Sequence, residues 1–337
     1  MASRLSKTLW TLVRLAVCVG LLIVVIRGIN WNDFRKVISN LDLGLAALAL
    51  VVFAPAPLLL SLRLVWMLRV QDIRISYWLA VKLSFAGNLL NFVVLGSIGG
   101  DLYKAYYLTK HTQSKTEAVT TILVDRIVGL TSLILLVAVV TLVSYRNPLV
   151  GQLEVLGPLK LGPAIGLMLL AFVVGALTYF NPWLRRVLHI GQLVDRLPLS
   201  HLFRQADEAV HQFHRRPGWV IGSYALTFVL QFSAICSAYV AALALGMEAT
   251  FVPYLVYVPL GFLVWSVPIT FGGLGTMDVY YQKFFPQAGL GNVQQAFCLA
   301  MFVRLTQLIW ALPGILVPLT GAHLPSKETV AQFQKDQ

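Results

Sequence analysis

Ionisable side chains occur at positions where an apolar helix would normally exclude them. Asp125 and Arg126 are adjacent within Leu-Val-Asp-Arg-Ile-Val-Gly, and Arg304 lies within Phe-Val-Arg-Leu-Thr-Gln. A charge deep in an apolar helix costs several kcal/mol, so such a residue usually faces the protein interior and pairs with an opposite charge. Asp101 and Asp278, outside those helices, supply further carboxylates. The sequence therefore predicts buried ion pairs between these acids and bases.

The two outlying carboxylates follow glycine clusters at matching spacing. One cluster immediately precedes Asp101, and the other ends three residues before Asp278. Arg126 lies 25 residues after Asp101, and Arg304 lies 26 residues after Asp278. The order of glycine cluster, acid and base thus occurs twice, which favours an internal repeat over chance similarity. The candidate substrate-binding residues are Gly99, Gly100, Asp101, Asp125, Arg126, Gly273, Gly275, Asp278 and Arg304.

The composition places these residues in a membrane protein. Hydrophobic residues make up 58% of the 337 positions, charged residues make up 12%, and the mean hydropathy is +0.77. Soluble domains carry about a quarter charged residues. We therefore predict a single integral membrane domain over residues 1–337. The net charge of +12 is better explained by basic loops facing anionic lipid than by nucleic-acid binding.

Apolar runs divide the chain into segments close to the length of about 20 residues that crosses a bilayer as a helix. These runs are Leu9–Ile26, Leu43–Met67, Trp78–Ile98, Val119–Ser144, Leu161–Phe180, Trp219–Gly246, Val252–Ile269 and Val293–Leu319.

The distribution of Lys and Arg decides how many of the runs cross. If all eight cross, the cytoplasmic side receives 11 of these residues and the outside receives 13, so no bias results. If the third and seventh runs enter the membrane and return, the counts become 18 and 6, with Arg126 and Arg304 inside helices. We therefore predict an all-α fold with six spanning helices, two re-entrant hairpins and cytoplasmic termini.

The predicted repeat halves are residues 8–145 and 161–320, and they have opposite orientations. Such inverted repeats with broken helices are used by secondary transporters. Apolar residues at helical spacing predict an amphipathic helix at Leu199–Phe213, within the cytoplasmic loop 181–217, and a shorter one at Trp31–Leu41.

A hairpin that returns as a helix would present free N–H groups at its tip, and Arg126 could add a bidentate contact to a phosphate. Asp101 could instead contact a cationic headgroup. Alternatively, the ion pairs only hold the hairpins in place. The sequence contains no motif of a hydrolase or nucleotide-driven pump, and every histidine lies in a loop or tail. We therefore expect no enzymatic activity, cofactor or metal.

Three motifs in order resemble the lysylphosphatidylglycerol synthase transmembrane, or flippase, domain family. They are Gly-Gly-Asp with an aromatic and basic helix (Gly99–Tyr107), Leu-x-Asp-Arg-x-x-Gly-Leu (Leu123–Leu130) and Pro-x-x-x-Gly-Gly-Leu-Gly (Pro268–Gly275). The similarity covers roughly residues 8–320. The aminoacyl-transferase domain of two-part members is not recognised in this sequence, so the resemblance implies the lipid-moving half.

The leading hypothesis is a protein that moves a phospholipid or a lipid-linked molecule between leaflets. Its cavity would lie between the two hairpins, lined by Asp101, Arg126, Asp278 and Arg304. The alternatives are a membrane-embedded transferase acting on lipid-linked sugars and an accessory scaffold of a separate lipid-modifying enzyme. The expected partners are membrane lipids and possible lipid-modifying enzymes, without nucleic acid. The resemblance favours a bacterial cytoplasmic (inner) membrane.

Overall fold

The structure is a computed structural model that describes residues 31–93, 99–112, 115–143, 154–156, 159–160, 167, 170, 213, 216–247, 250–266 and 274–317. Several predicted segments lie outside these residues: the runs 9–26 and 161–180 and the amphipathic helix 199–213, apart from isolated positions, and the glycine-rich segments 94–98 and 267–273.

Helices account for nearly all of the described secondary structure. They are α1 (Trp31–Ser39), α2 (Leu43–Phe53), α3 (Pro55–Val70), α4 (Tyr77–Val93), α5 (Gly99–His111), α6 (Lys115–Val143), α7 (Pro217–Ala244), α8 (Phe251–Ser266), α9 (Thr276–Gln287) and α10 (Val293–Ala311), which continues as the 3₁₀ helix Leu312–Leu316. A short antiparallel ribbon pairs β1 (Glu154–Leu156) with β2 (Leu159–Lys160).

The described residues contain four helices long and apolar enough to cross a membrane. Their ranges are Leu43–Val70, Thr116–Val143, Pro217–Ala244 and Val293–Leu316. The first combines α2 and α3, which meet where Pro55 lacks the N–H that would continue the hydrogen-bond ladder. The prediction of an all-α polytopic membrane protein is confirmed, and so is the short amphipathic helix near the start of the chain, which is α1.

The third and seventh apolar runs form shorter helices, each packed against the helix that follows it. Helix α4 packs against α5, and α8 packs against α9. Glycine permits the first contact, because a Cβ on Gly100 would overlap the carbonyl group of Gly87. In the second pair, a Cβ on Gly261 would lie 2.6 Å from the ring of Tyr281. Small residues at these crossings therefore let each helix pair approach closely.

Hydrogen bonds at one end of the bundle show how the second pair is connected. The Asp42 N–H donates to the Ala244 carbonyl at 3.0 Å, and the Gln295 amide donates to the carbonyls of Leu245 and Gly246 at 3.2 and 3.0 Å. Eight successive crossings would put residues 42 and 244 at opposite ends. Eight crossings would likewise put residues 245 and 295 at opposite ends. The chain between Leu245 and Gln295 in fact leaves this end of the bundle and returns to it.

The opposite end is joined by Arg216, immediately before α7, and Asp72, just after α3. The Arg216 guanidinium donates to both carboxylate oxygens of Asp72 at 2.9 and 3.0 Å, and it also donates to the Arg69 carbonyl. These hydrogen bonds, with the Arg216 and Arg74 charges, hold the pKa of Asp72 below its usual range. This end of the bundle therefore contains three arginines, which are Arg69, Arg74 and Arg216.

Helices of one predicted repeat half pack against helices of the other. Helix α8 of the second half packs against α6 of the first, and α4 of the first half packs against α10 and the 3₁₀ helix of the second. Helix α7 packs against α2 and α3. At one of these contacts, Gly314 lies against the backbone of Phe85, with no room for a Cβ. The core of the described residues therefore includes side chains from both halves.

Replacing Gly100 with alanine tests the close contact between α4 and α5. The added methyl group would overlap the Gly87 carbonyl, so the helices must separate. We expect Gly100→Ala to lower the free energy of unfolding by about 1–3 kcal/mol. Gly218→Ala is the matched control, because a Cβ there meets nothing within 4 Å. Denaturant titration in detergent micelles measures both, and equal stability of the two variants would contradict the contact.

Candidate functional site

A cavity of about 290 Å³ lies between the two helix pairs. Its lining includes the two central residues of each of three spans: Ala56 and Pro57, Gly129 and Leu130, and Leu230 and Gln231. Residues at the middle of a spanning helix lie at the middle of the hydrocarbon layer. The cavity is therefore at mid-depth of the spanning helices.

An ion pair between two of the residues predicted to pair borders this cavity. Arg126 Nη1 lies 2.6 Å from Asp101 Oδ2, and both side chains keep about a quarter of their surface exposed (26% and 24%). Arg126 Nη2 also donates to the Ser266 carbonyl at 3.1 Å, at the end of α8. One guanidinium thus links α5 of the first helix pair to α8 of the second.

A second ion pair at the cavity contains one residue that the sequence analysis predicted and one that it did not. Arg63 Nε and Nη2 donate to the two carboxylate oxygens of Asp125 at 2.7 and 2.9 Å, and Nη1 donates to Thr227 Oγ1 at 3.0 Å. This bidentate arrangement is almost fully buried and connects α3, α6 and α7. Sequence reasoning identified Asp125 and missed Arg63. The available signal was a lone arginine inside the apolar run Leu43–Met67.

The third ion pair lies away from the cavity. Arg304 Nη2 lies 3.0 Å from Asp278 Oδ2, and the two side chains are only 9% and 2% exposed. Asp278 Oδ2 also accepts the Gly275 N–H at 2.9 Å, so it caps the first turn of α9. Gly275 has φ of +83°, a conformation that favours glycine. Neither member of this pair lines the cavity.

The N-terminus of α5 differs from the sequence-based hypothesis of free N–H groups. The Gly100 N–H donates to Asn91 Oδ1 at 2.8 Å, so a phosphate could not take this N–H without displacing the amide. Arg126 is at the cavity as expected, although its Nη1 is occupied by Asp101. Anion binding in this region therefore requires another donor.

A further hydrogen-bond donor at the cavity is Lys104, one turn after Asp101 on α5. Lys104 lines the cavity, its residue is 4% exposed, and no ion pair or hydrogen bond joins it to any residue that the structure describes. Its stem passes the helix α4 beside Gly87, where a Cβ would lie 2.9 Å from Lys104 Cε. Sequence reasoning placed this lysine in the basic helix Gly99–Tyr107 and counted it on the cytoplasmic side, without including it in the site.

Aromatic and aliphatic side chains form the rest of the walls. The rings of Phe92 and Trp265, near the ends of α4 and α8, lie 6.4 Å apart between centroids. The two helix pairs therefore approach each other where each leads into its glycine cluster. The aromatic residues of the lining are Phe53, Phe92, Phe262, Trp265 and Trp310.

The structure thus divides the predicted site residues into groups. Asp101, Asp125 and Arg126 line the cavity. Five others are described and are absent from the lining: Gly99, Gly100, Gly275, Asp278 and Arg304. Gly273 lies outside the described residues. Within the described part of the chain, no group of three or more His, Cys, Asp or Glu side chains is arranged to hold a metal ion.

Long apolar helices and a charged cavity at their mid-depth define a polytopic membrane protein with an internal polar site. Comparison with family models matches residues 11–314 to the lysylphosphatidylglycerol synthase TM region. The match covers nearly the whole chain, and the protein belongs to this family. A comparison with curated proteins found no match. The family is one of membrane proteins related to lipid modification or transport.

The Arg63–Asp125 pair gives a stability prediction. Arg63→Met would leave the Asp125 carboxylate buried without its counter-ion, so we expect the free energy of unfolding to fall by about 3–5 kcal/mol. In the double variant Arg63→Met/Asp125→Leu no buried charge remains, and most of the stability should return. Titration with a denaturing detergent in mixed micelles measures both. A double variant as unstable as the single one would contradict this assignment.

Proposed function

We propose that this protein moves a phospholipid or a lipid-linked molecule between the leaflets of a bacterial cytoplasmic membrane. The single observation that carries the proposal is the cavity at mid-depth, which has a polar and charged interior and apolar walls. A lipid headgroup that changes leaflet must pass the hydrocarbon layer, where an unsolvated polar group is costly. A polar cavity at the middle of the layer would lower that cost.

The size of the cavity fits the headgroup better than the whole lipid. Its volume of about 290 Å³ is at the lower end of small-molecule pockets. A headgroup can occupy it while the acyl chains remain in the surrounding bilayer. Proteins that shield only the headgroup have no need of a site for the chains, which are already in an apolar solvent.

The two helix pairs are proposed to be re-entrant hairpins of an inverted repeat. The same-end connection between Leu245 and Gln295 supports the second hairpin. Equivalent acid–base pairs, Asp101 with Arg126 and Asp278 with Arg304, support the repeat. In such transporters, hairpins that meet near the midplane separate alternately towards each side. The Arg126–Ser266 contact between the hairpins is the bond that would break in this step.

The orientation follows from the hairpins and predicts where cysteines are labelled. We expect Thr112→Cys to face the cytoplasm and Gln287→Cys to face outward, in a chain whose three native cysteines are replaced by alanine. A membrane-impermeant maleimide should label position 287 in intact cells and position 112 only after permeabilisation. Labelling of Thr112→Cys in intact cells would fit eight crossings and contradict the first hairpin.

Exchange between leaflets in proteoliposomes tests the function. The lipids carry a fluorophore on an acyl chain, because a labelled headgroup would exceed the cavity. We expect the purified protein to accelerate exchange of at least one phospholipid over empty vesicles. Arg126→Ala should lower the rate about tenfold or more, because it removes a cavity charge and the contact between hairpins.

The control is the double variant Asp278→Asn/Arg304→Gln, which neutralises the ion pair outside the cavity. We expect it to retain exchange at equal reconstitution. A loss as large as that of Arg126→Ala would indicate that the ion pairs act only by holding the hairpins. Equal rates for the wild type and empty vesicles, across anionic and zwitterionic lipids, would contradict translocation and favour a transferase or scaffold.

A further inference from the structure

We infer that the cavity selects lipids whose headgroup carries a net negative charge on phosphate, and that Lys104 is the residue that recognises the phosphate. This inference rests on the proposed function and names its substrate class. It is carried by the charge balance of the cavity, the burial of Lys104 and the comparison between the two hairpins.

The charges of the cavity do not balance. Its lining includes the cations Arg63, Lys104 and Arg126 and the anions Asp101 and Asp125. Each carboxylate already has an arginine within ion-pair distance. The remaining charge is the ammonium group of Lys104, for which the described residues supply no counter-ion. Among the described residues, the lining thus has one positive charge in excess.

An ammonium group at this depth needs an anionic partner. Lys104 is 4% exposed and lies on α5 beside the mid-depth cavity. A buried charge without a partner is strongly disfavoured, and a phosphate oxygen is a strong acceptor for an ammonium donor. Bound phosphate would supply the missing charge, so its binding gains an ion pair.

The second hairpin indicates that the fold itself does not require a cation at this position. Lys104 lies three residues after Asp101, and Tyr281 lies three residues after Asp278. Both side chains pack over a glycine of the preceding helix, Gly87 or Gly261. Tyr281 fills its place with an aromatic ring stacked on Phe285. The lysine in the first hairpin is therefore a feature of the cavity rather than of hairpin packing.

Net headgroup charge then determines which lipids fit. A headgroup with one phosphate and neutral hydroxyl groups balances the excess charge, and the amide side chains of Asn88 and Gln307 in the lining can serve the hydroxyls. A zwitterionic headgroup brings its own cation, which competes with Lys104 for the phosphate.

Calorimetric titration of the full-length protein in nonionic detergent tests this selection. The probes are dioctanoylphosphatidylglycerol, dioctanoylphosphatidylcholine and glycerol phosphate. We expect the wild type to bind the anionic lipid about tenfold more tightly than the zwitterionic one. Lys104→Met should lose this preference by weakening the anionic lipid, and Lys104→Arg should keep it. The control Lys283→Met removes an exposed lysine of α9 outside the cavity and should behave as the wild type.

Each outcome separates this inference from the proposed function. Equal affinity of the wild type for both lipids, or a preference that survives in Lys104→Met, overturns the inference even if leaflet exchange occurs. Glycerol phosphate binding as tightly as the lipid overturns a lipid source for the anion. Selective binding through Lys104 without exchange in proteoliposomes supports the recognition of anionic headgroups and contradicts translocation.

Discussion

The cost of removing charge from water governs the interior of this protein. Arg63, Asp125, Arg126 and Arg304 lie within helices whose length and composition fit a bilayer. Such residues are stable there only with a counter-charge or with hydrogen bonds that replace water. The three buried or half-buried ion pairs meet that requirement, and each joins different helices. The arrangement of the helix pairs around the cavity therefore depends on these pairings.

Two similar helix pairs, one in each predicted repeat half, differ in the exposure of their acid–base pairs. In the second, Asp278 and Arg304 are buried beside tyrosines and phenylalanines, so their carboxylate and guanidinium have little access to a ligand. In the first, Asp101 and Arg126 remain about a quarter exposed and border a cavity. The acid–base pair of α9 and α10 is therefore enclosed by packing, whereas that of α5 and α6 is open to the cavity. The side chain three residues after each aspartate also differs, being Lys104 in α5 and Tyr281 in α9.

Much of this arrangement could be predicted from the sequence, and the missing parts share one cause. Asp101, Arg126, Asp278 and Arg304 could be predicted to form ion pairs, because the order of glycine cluster, acid and base occurs twice. The structure supplies the partner of each. Arg63 and Lys104 could not be placed, because each lies near the end of an apolar run, where a basic residue usually faces the cytoplasm. Their burial depends on the contacts of α3 and α5 with other helices. A cavity between the helix pairs was predicted with Asp101, Arg126, Asp278 and Arg304 as its lining, but only Asp101 and Arg126 line it. The other lining residues could not be predicted, since they come from helices distant in sequence.

The contact between Arg126 and Ser266 connects ligand binding to the position of the hairpins. The guanidinium has two hydrogen-bonding groups in use, one on the Asp101 carboxylate and one on the Ser266 carbonyl. A phosphate held by Lys104 would lie one turn from Asp101 on the same helix, close enough to compete for the guanidinium. Arg126 would exchange a neutral carbonyl for a charged acceptor, which is the stronger of the two hydrogen bonds. The same exchange would break the hydrogen bond between Arg126 of α6 and the end of α8, so a bound phosphate would weaken one contact between these two helices.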